Sequence, residues 1–374
     1  MVNWAAIRAR FPVCSRMVYM NAAGGSPLCS DASVEGKRYF DEMLLYGDTC
    51  WEEWLLRTEE VRKKVADLMG AQREEVAFVS NTSSGMSYIA QILRGKGRIL
   101  TMEDEFPSSS IPWLNLGFEA DLIRPSGGIY SIQGIKQTIR PEHKILVTSY
   151  IQYRTGFRQD LRELGKLCRS AGLVFIVNAT QAMGIFPVDV VRDQIDFLVF
   201  SGLKWACAGY GSSALYIQKK WLGVQFPLTG WRSVRSPDLM NNLSRDIRPE
   251  ASALEAGSPA FPAIFSLGGA LDLLNSIGIQ KCKERVLYLS RLLETRLQEN
   301  HLPVIPSPGE KYRSGILIIE TGNAQSLVHE LWKKKIVVSA RGRGLRISVN
   351  IFNNEDDIDK LVSALNSLRS LLAG

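Results

Sequence analysis

The sequence predicts an α/β protein: a large domain on a mainly parallel sheet, followed by a smaller C-terminal α+β domain. Three observations carry this. Apolar runs of strand length recur at Lys144–Ser149, Leu173–Val177 and Asp196–Ser201, with an amphipathic helix between the first two. That strand–helix–strand order is the pattern of parallel pairing. The runs end in polar residues, Asn178 and Gln181 after one and Ser201 and Lys204 after another. In an open α/β sheet, ligands bind outside the carboxyl ends of the strands, so these four converge on one crevice. Lys204 lies between Leu203 and Trp205. Desolvation there lowers an amine pKa, as a Schiff-base lysine requires.

Taken in order, residues 1–20 read as a short amphipathic helix and a Met17–Met20 run, an N-terminal segment expected to pack on the small domain. Residues 21–255 form the expected large domain, and 256–374 a connecting helix with the small domain. Asn21–Pro27 holds two glycines and a proline, a turn whose backbone either approaches a ligand closely or simply forms a loop. Residues 30–70 are helical in pattern, with Trp51, Trp54, Leu55 and Leu56 as an apolar cluster for core or subunit contact. Glu75–Ser80 is a strand running into Asn81-Thr-Ser-Ser-Gly85 and a helix. Hydroxyls and free N–H groups at such a turn suit a phosphate, or merely cap the helix. Arg98–Thr101 is a further strand, followed by the Glu105-Phe-Pro-Ser108 loop. Leu161–Ala171 is an amphipathic helix. A long helix spans Pro262–Ile277. The last segment alternates helix 282–300, strand 315–320, helix 325–334, strand 345–348 and helix 356–372.

Composition excludes several classes. The chain has 374 residues, 45% hydrophobic and 22% charged, an ordinary globular balance with no membrane-length apolar run and no signal-peptide pattern at its start. The six cysteines are scattered without a CxxC, which argues against a disulfide framework or zinc site and for a reducing cytoplasm. The net charge of +7 is spread along helical faces, so no nucleic acid and no membrane partner is expected.

The motifs Asn21-Ala-Ala-Gly, Asn81-Thr-Ser-Ser-Gly85, Asn178-Ala-Thr-Gln181, Ser201-Gly-Leu-Lys204 and Leu345-Arg346-Ile-Ser348 stand in one order over nearly the whole chain. In this they resemble the class V aminotransferase family of pyridoxal-phosphate (PLP) enzymes. That family includes cysteine desulfurases, selenocysteine lyases, C–S lyases, kynureninases and isopenicillin-N-epimerase-like proteins. The resemblance implies a fold-type-I enzyme with a seven-stranded sheet, PLP as cofactor, an amino-acid substrate and a homodimer. It makes Lys204 the catalytic Schiff-base lysine, and Thr82, Ser83 and Ser201 phosphate donors, joined by Ser258 of Gly257-Ser-Pro259 reaching a neighbouring subunit. Phe106 and Ala179 are expected on the two faces of the cofactor ring, Asn178 at its nitrogen and Gln181 at its phenolic oxygen. Ala23, Gln152, Tyr153 and Arg346 are the substrate-side residues, with Arg346 holding the carboxylate in a bidentate fork. Arg341 and Arg343 are secondary candidates, read as solvated charges.

Three positions depart from the family pattern. Asn178 stands where an aspartate is usual, Leu203 where a histidine commonly precedes the lysine, and Phe106 where the stacking ring is often histidine. A neutral amide supplies no charge to the ring nitrogen. The segment Lys335–Arg346 has neither a cysteine nor room for the long loop that carries a desulfurase nucleophile. The expected reaction is therefore β-elimination of the C–S lyase type, or transamination. Cysteine desulfurase or selenocysteine lyase, amino-acid epimerase, and a weakly active PLP-binding protein remain open alternatives.

Overall fold

The structure, a computed structural model, describes residues 2–342 and 344–372. Its centre is a sheet of seven strands: β1 (Val76–Val79), β2 (Arg98–Met102), β3 (Ala120–Ile123), β4 (His143–Ser149), β5 (Val174–Asn178), β6 (Phe197–Ser201) and β7 (Ser213–Ile217). Their spatial order is β1-β7-β6-β5-β4-β2-β3. Every neighbouring pair is parallel except those of β7, which runs antiparallel to both β1 and β6. Every residue of β6 and β7 is buried, and β6 reads as a continuous apolar run for that reason. The edge strand β3 is half exposed and carried no such signal.

Helices cover both faces. Leu161–Ala171 buries Leu161, Leu164, Leu167 and Cys168 on one side. Its start is capped by Asp160, and Gly172 ends it at a φ of 67°, a left-handed conformation that favours glycine. Thr82–Ile92 buries Met86, Ile89 and Ala90 against the other face, in a cluster with Ile99, Ile145 and Val199. The helical region after residue 30 is two helices, Ser30–Tyr46 and Trp51–Met69, broken at Gly47. The first runs so close to helix Phe261–Ile277 that a Cβ on Gly269 would lie 2.5 Å from the Asp31 carbonyl.

A second sheet holds β8 (Val304–Ile305), β9 (Ile316–Glu320), β10 (Ser339–Arg341) and β11 (Gly344–Ser348). Its order is β10-β11-β9-β8, antiparallel throughout. Only β9 and β11 were expected; β8 and β10 are too short to read. Val18–Tyr19 pairs in parallel with Ile336–Val337, and Arg8 grips Asp357 at 2.7 and 2.9 Å. The N-terminal segment thus lies against the C-terminal elements. Among the described residues no single helix is long and apolar enough to cross a membrane.

Candidate active site

The carboxyl ends of β4, β5 and β6, the start of helix Thr82–Ile92 and strands β10 and β11 border one cavity of about 290 Å³. Lys204 lies three residues beyond β6, half-buried and without a carboxylate partner among the described residues. Burial, followed by the positive charge of Arg346 and Arg341, lowers its amine to about 7. Its Nζ stands 5.4 Å from the centre of the Phe106 ring. Phe106 meets Tyr153 edge-on, centroids 5.2 Å apart.

Arg346 enters from β11, only 2% exposed. Its Nη1 donates to the Tyr153 carbonyl at 3.0 Å and its Nε to Ser339 Oγ at 3.3 Å. No carboxylate among the described residues pairs with it. Burial and Arg341 lower it to about 10. A buried guanidinium beside a half-buried amine, neither with a counter-ion among the described residues, is costly unless an anion joins them.

At the opposite end, Asn81 caps helix Thr82–Ile92, its Oδ1 accepting the Ser84 N–H at 2.9 Å. The Thr82 and Ser83 N–H groups precede the first intrahelical bond, so the helix start presents free donors. Two hydroxyl pairs sit beside them, Thr82 with Thr180 and Ser83 with Ser108, each at 2.7 Å. Ser201 accepts from Ser213 at 2.8 Å. Gln181 is held on both sides: its Nε2 donates to the Ala23 carbonyl at 3.0 Å, and its Oε1 accepts from Trp205 at 2.8 Å. Ala23 in turn donates its N–H to Ser348 Oγ at 2.9 Å.

Ten of the expected residues therefore line this cavity: Ala23, Thr82, Ser83, Phe106, Tyr153, Asn178, Gln181, Ser201, Lys204 and Arg346. Three do not. Gln152 turns inward, its Nε2 donating to the half-buried Glu105 carboxylate at 2.7 Å. Ala179 is fully buried, and the next residue, Thr180, takes the lining position. Ser258 is exposed, outside the cavity lining of its own chain. Arg341, expected as a solvated charge, lines the cavity, whereas Arg343 lies outside the described residues. Ser108, Ser149, Thr180 and Tyr210 also line it. Period-2 patterning of β4 places Ser149 at a strand end, a signal that was available; the other three sit on loops and gave none.

The residues fit a phosphate-bearing aldehyde cofactor. A half-buried, deprotonatable amine, an aromatic face, a helix start with hydroxyls and a buried guanidinium surround one volume. The fold and this site define a fold-type-I pyridoxal-phosphate enzyme. The family model for class V aminotransferases matches residues 49–361, and the chain belongs to that family. A Bacillus subtilis protein described as the uncharacterized aminotransferase YcbU is 24% identical over 355 residues, covering 94% of each chain. The fold matches that of the Escherichia coli cysteine desulfurase CsdA with a TM-score of 0.88, at 23% identity over 99% of this chain and 100% of that one. It also matches the cystine C–S lyase C-DES, TM-score 0.85, at 18% identity over 95% and 99%. The chain is a pyridoxal-phosphate-dependent enzyme of this family.

Proposed function

We propose that the enzyme is a lyase that removes a sulfur-linked or comparable β-substituent from an amino acid. Bound pyridoxal phosphate supplies an electron sink that makes bonds at the substrate α-carbon labile. The chain's residues do the rest. The helix start at Thr82 and Ser83, with Ser201, would hold the phosphate, and Lys204 would anchor the aldehyde carbon until the substrate's amino group replaces it there and sets Nζ free. Arg346 takes the substrate carboxylate in its fork, which orients the α-hydrogen. An amine at about 7 is free to accept that proton near neutrality, so Lys204 Nζ takes it. The Cβ–S bond then breaks, its electron pair leaving with sulfur, and hydrolysis releases pyruvate and ammonia.

The observation that carries elimination over desulfuration is the absence of a thiol at the site. All six cysteines are described, and none lines the cavity. Strands β10 and β11 pair through Arg341 and Gly344, so two residues separate them, with no span for a mobile thiol loop. Cys207, three residues past Lys204, is buried, which pushes its thiol up and away from reactivity. Sulfur transfer to an enzyme cysteine thus has no acceptor. Transamination is the second reading, supported by the name of the Bacillus subtilis relative.

We further infer a homodimer in the reducing cytoplasm. Free cysteines and a continuous exposed apolar stripe on helix Ser30–Tyr46 support it. The test is incubation of the yellow holoenzyme with cystine, cysteine and S-conjugates. Pyruvate is expected in equal amount with the sulfur leaving group: sulfide from cysteine, a thiol from an S-conjugate and a persulfide from cystine. Alanine in place of pyruvate signals desulfuration, and a new amino acid formed from added keto acid signals transamination; either outcome rejects the lyase.

A further inference from the structure

Two strands of the small sheet carry the cationic end of the cavity. In the β10–β11 pairing, Ser339 stands opposite Arg346 and Arg341 opposite Gly344. Residues directly opposite, and residues two apart on one strand, share a face of the sheet. Arg341 and Arg346 therefore rise from one face, a diagonal step apart. The other two corners of that square, Ser339 and Gly344, are small, so no bulky side chain stands between the guanidiniums. Both arginines line the cavity. Arg346 is the inner, buried one, and Arg341 is the outer, exposed one.

Arg341 is placed firmly but is not neutralised. The Gly342 that follows it has a φ of 56°, and a Cβ there would lie 2.7 Å from Arg154 Cγ. The strand end thus packs on the large domain. Arg154 is itself held by Asp104 at 3.2 Å. Arg341 has no such partner: its Nη1 donates at 2.7 Å to the carbonyl of the preceding Ala340, and no carboxylate among the described residues forms an ion pair with it. Glu320 stands on the same face across Gly344, without an ion pair to Arg341. No aspartate or glutamate lines the cavity. The charge is felt inside, where it adds to burial in lowering both Arg346 and Lys204.

We propose that Arg341 selects the substrate: it takes a carboxylate carried by the β-substituent, so that the enzyme acts on amino acids whose sulfur bears a second, carboxylate-ended group. The proposal rests on the lyase reading of this cavity. On that reading the helix start takes the phosphate and Arg346 the α-carboxylate. The β-substituent leaves the α-carbon along a different bond, and an anion at its tip meets the Arg341 guanidinium, which neither of the other anions uses. A guanidinium fork holds a carboxylate by two parallel bonds. Because Arg341 is exposed, the carboxylate-bearing thiol is released on the solvent side once the Cβ–S bond has broken.

The test compares S-carboxymethylcysteine with its amide, S-carbamoylmethylcysteine, which has the same shape without the charge. With one water, elimination from the acid yields pyruvate, ammonia and thioglycolate; the amide yields pyruvate, ammonia and mercaptoacetamide. Wild-type holoenzyme should favour the acid. R341Q should lower kcat/KM for the acid by about fivefold or more and leave the amide within about twofold, as expected for loss of a charge-assisted bond made by one substrate only. R341K, which keeps the charge without the fork, should lie between. Comparing the acid-to-amide ratio across the enzymes cancels the different leaving tendencies of the two thiols. Binding is read separately with α-aminoadipate and its side-chain amide, in which a methylene replaces sulfur and no C–S bond exists. Kd from the shift of the cofactor band should show the same preference in wild type and its loss in R341Q. Equal losses for acid and amide would mean that Arg341 serves the α-carboxylate or the cofactor and would overturn the proposal. So would an unchanged acid preference in R341Q, or no preference in wild type. Absence of pyruvate from both sulfur compounds counts against the lyase reading, whereas the Kd ratio still decides the part of Arg341.

Discussion

The Lys204 amine sits among Phe106, Arg341 and Arg346 with no carboxylate to hold its proton, and this sets a stability dependence of known sign. In the unfolded chain a lysine titrates near pH ~10.4; in the folded protein burial brings it to about 7. Between those values the unfolded chain binds more protons, so stability falls as pH drops, and the penalty is complete below the folded value. In cofactor-free protein, Lys204→Met keeps the stem and removes the charge. It should be more stable than wild type at about pH 6 by a few kcal/mol, because each tenfold loss of proton affinity on folding is worth about 1.4 kcal/mol, and the gap should close toward about pH 10. Urea unfolding across that range reads it, and a pH-independent gap would show that the amine is solvated. In the holoenzyme, borohydride reduction and peptide mapping should place the label on this lysine. Arg346 answers to a different assay. If Arg346 takes the substrate carboxylate as proposed, Arg346→Ala removes that buried fork, a loss of about 2–5 kcal/mol for a charge-assisted pair. KM for the amino acid should rise more than tenfold, about 1.4 kcal/mol or more, with the cofactor spectrum intact. An unchanged KM would mean that Arg341 or another group holds the carboxylate.

Helix Thr82–Ile92 brings the phosphate end of the site into place by lying close against β6. A Cβ on Gly85 would meet Val199 Cγ2 at 2.6 Å, closer than packing allows. Gly85→Ala must push the helix start off the strand, at a cost of about 1–3 kcal/mol for overpacking. Cofactor affinity should fall with Tm, measured by dialysis and thermal unfolding; a lower Tm with unchanged affinity would show that the helix start does not hold the phosphate. The same elements explain what sequence alone revealed. β4, β5 and β6 were legible because both faces are buried, and the runs end at the polar residues that line the cavity. Leu161–Ala171 was legible because its apolar spacing, its aspartate cap and its terminal glycine agree. β3 was not, since Leu122 faces solvent and the strand is short. Gln152 and Ala179 misled for a related reason. A strand end fixes which residues are near a crevice, whereas the turn beyond it decides which side chains enter. Here Glu105 draws Gln152 away, and Thr180 rather than Ala179 meets the wall. Glu105 itself was passed over because a loop carboxylate before Phe106 gives no sign in sequence of taking three donors from Ser149 and Gln152.

At the scale of the molecule, the surface asks for a partner. Helix Ser30–Tyr46 exposes Phe40, Met43, Leu44 and Leu45, with Leu44 83% exposed. The segment after residue 228 exposes Trp231, Leu239, Met240 and Leu243, the last 81% exposed. Single exposed apolar residues are ordinary, but runs on one helix and one long loop mark a contact surface. A second copy of this chain is the partner the family resemblance implies, and a two-fold axis would bury both stripes at once. It also gives Ser258 a task. In its own chain that hydroxyl is exposed and outside the cavity lining, although Gly257-Ser-Pro259 was expected at a phosphate. In the proposed dimer a neighbouring subunit would resolve this, with Ser258 reaching the partner's phosphate site. Cofactor retention should therefore depend on association. Sedimentation should show a dimer, and the double variant L44E/L45E, which charges the stripe without touching the cavity, should sediment as a monomer. If Ser258 donates to the phosphate across the axis, that variant should also lose cofactor during dialysis that the wild type withstands. Ser258→Ala should weaken cofactor binding while leaving the dimer intact, which separates the hydroxyl's part from that of the interface. A monomeric wild type that keeps pyridoxal phosphate through dialysis would leave the apolar stripe unexplained by self-association and would remove any part for Ser258.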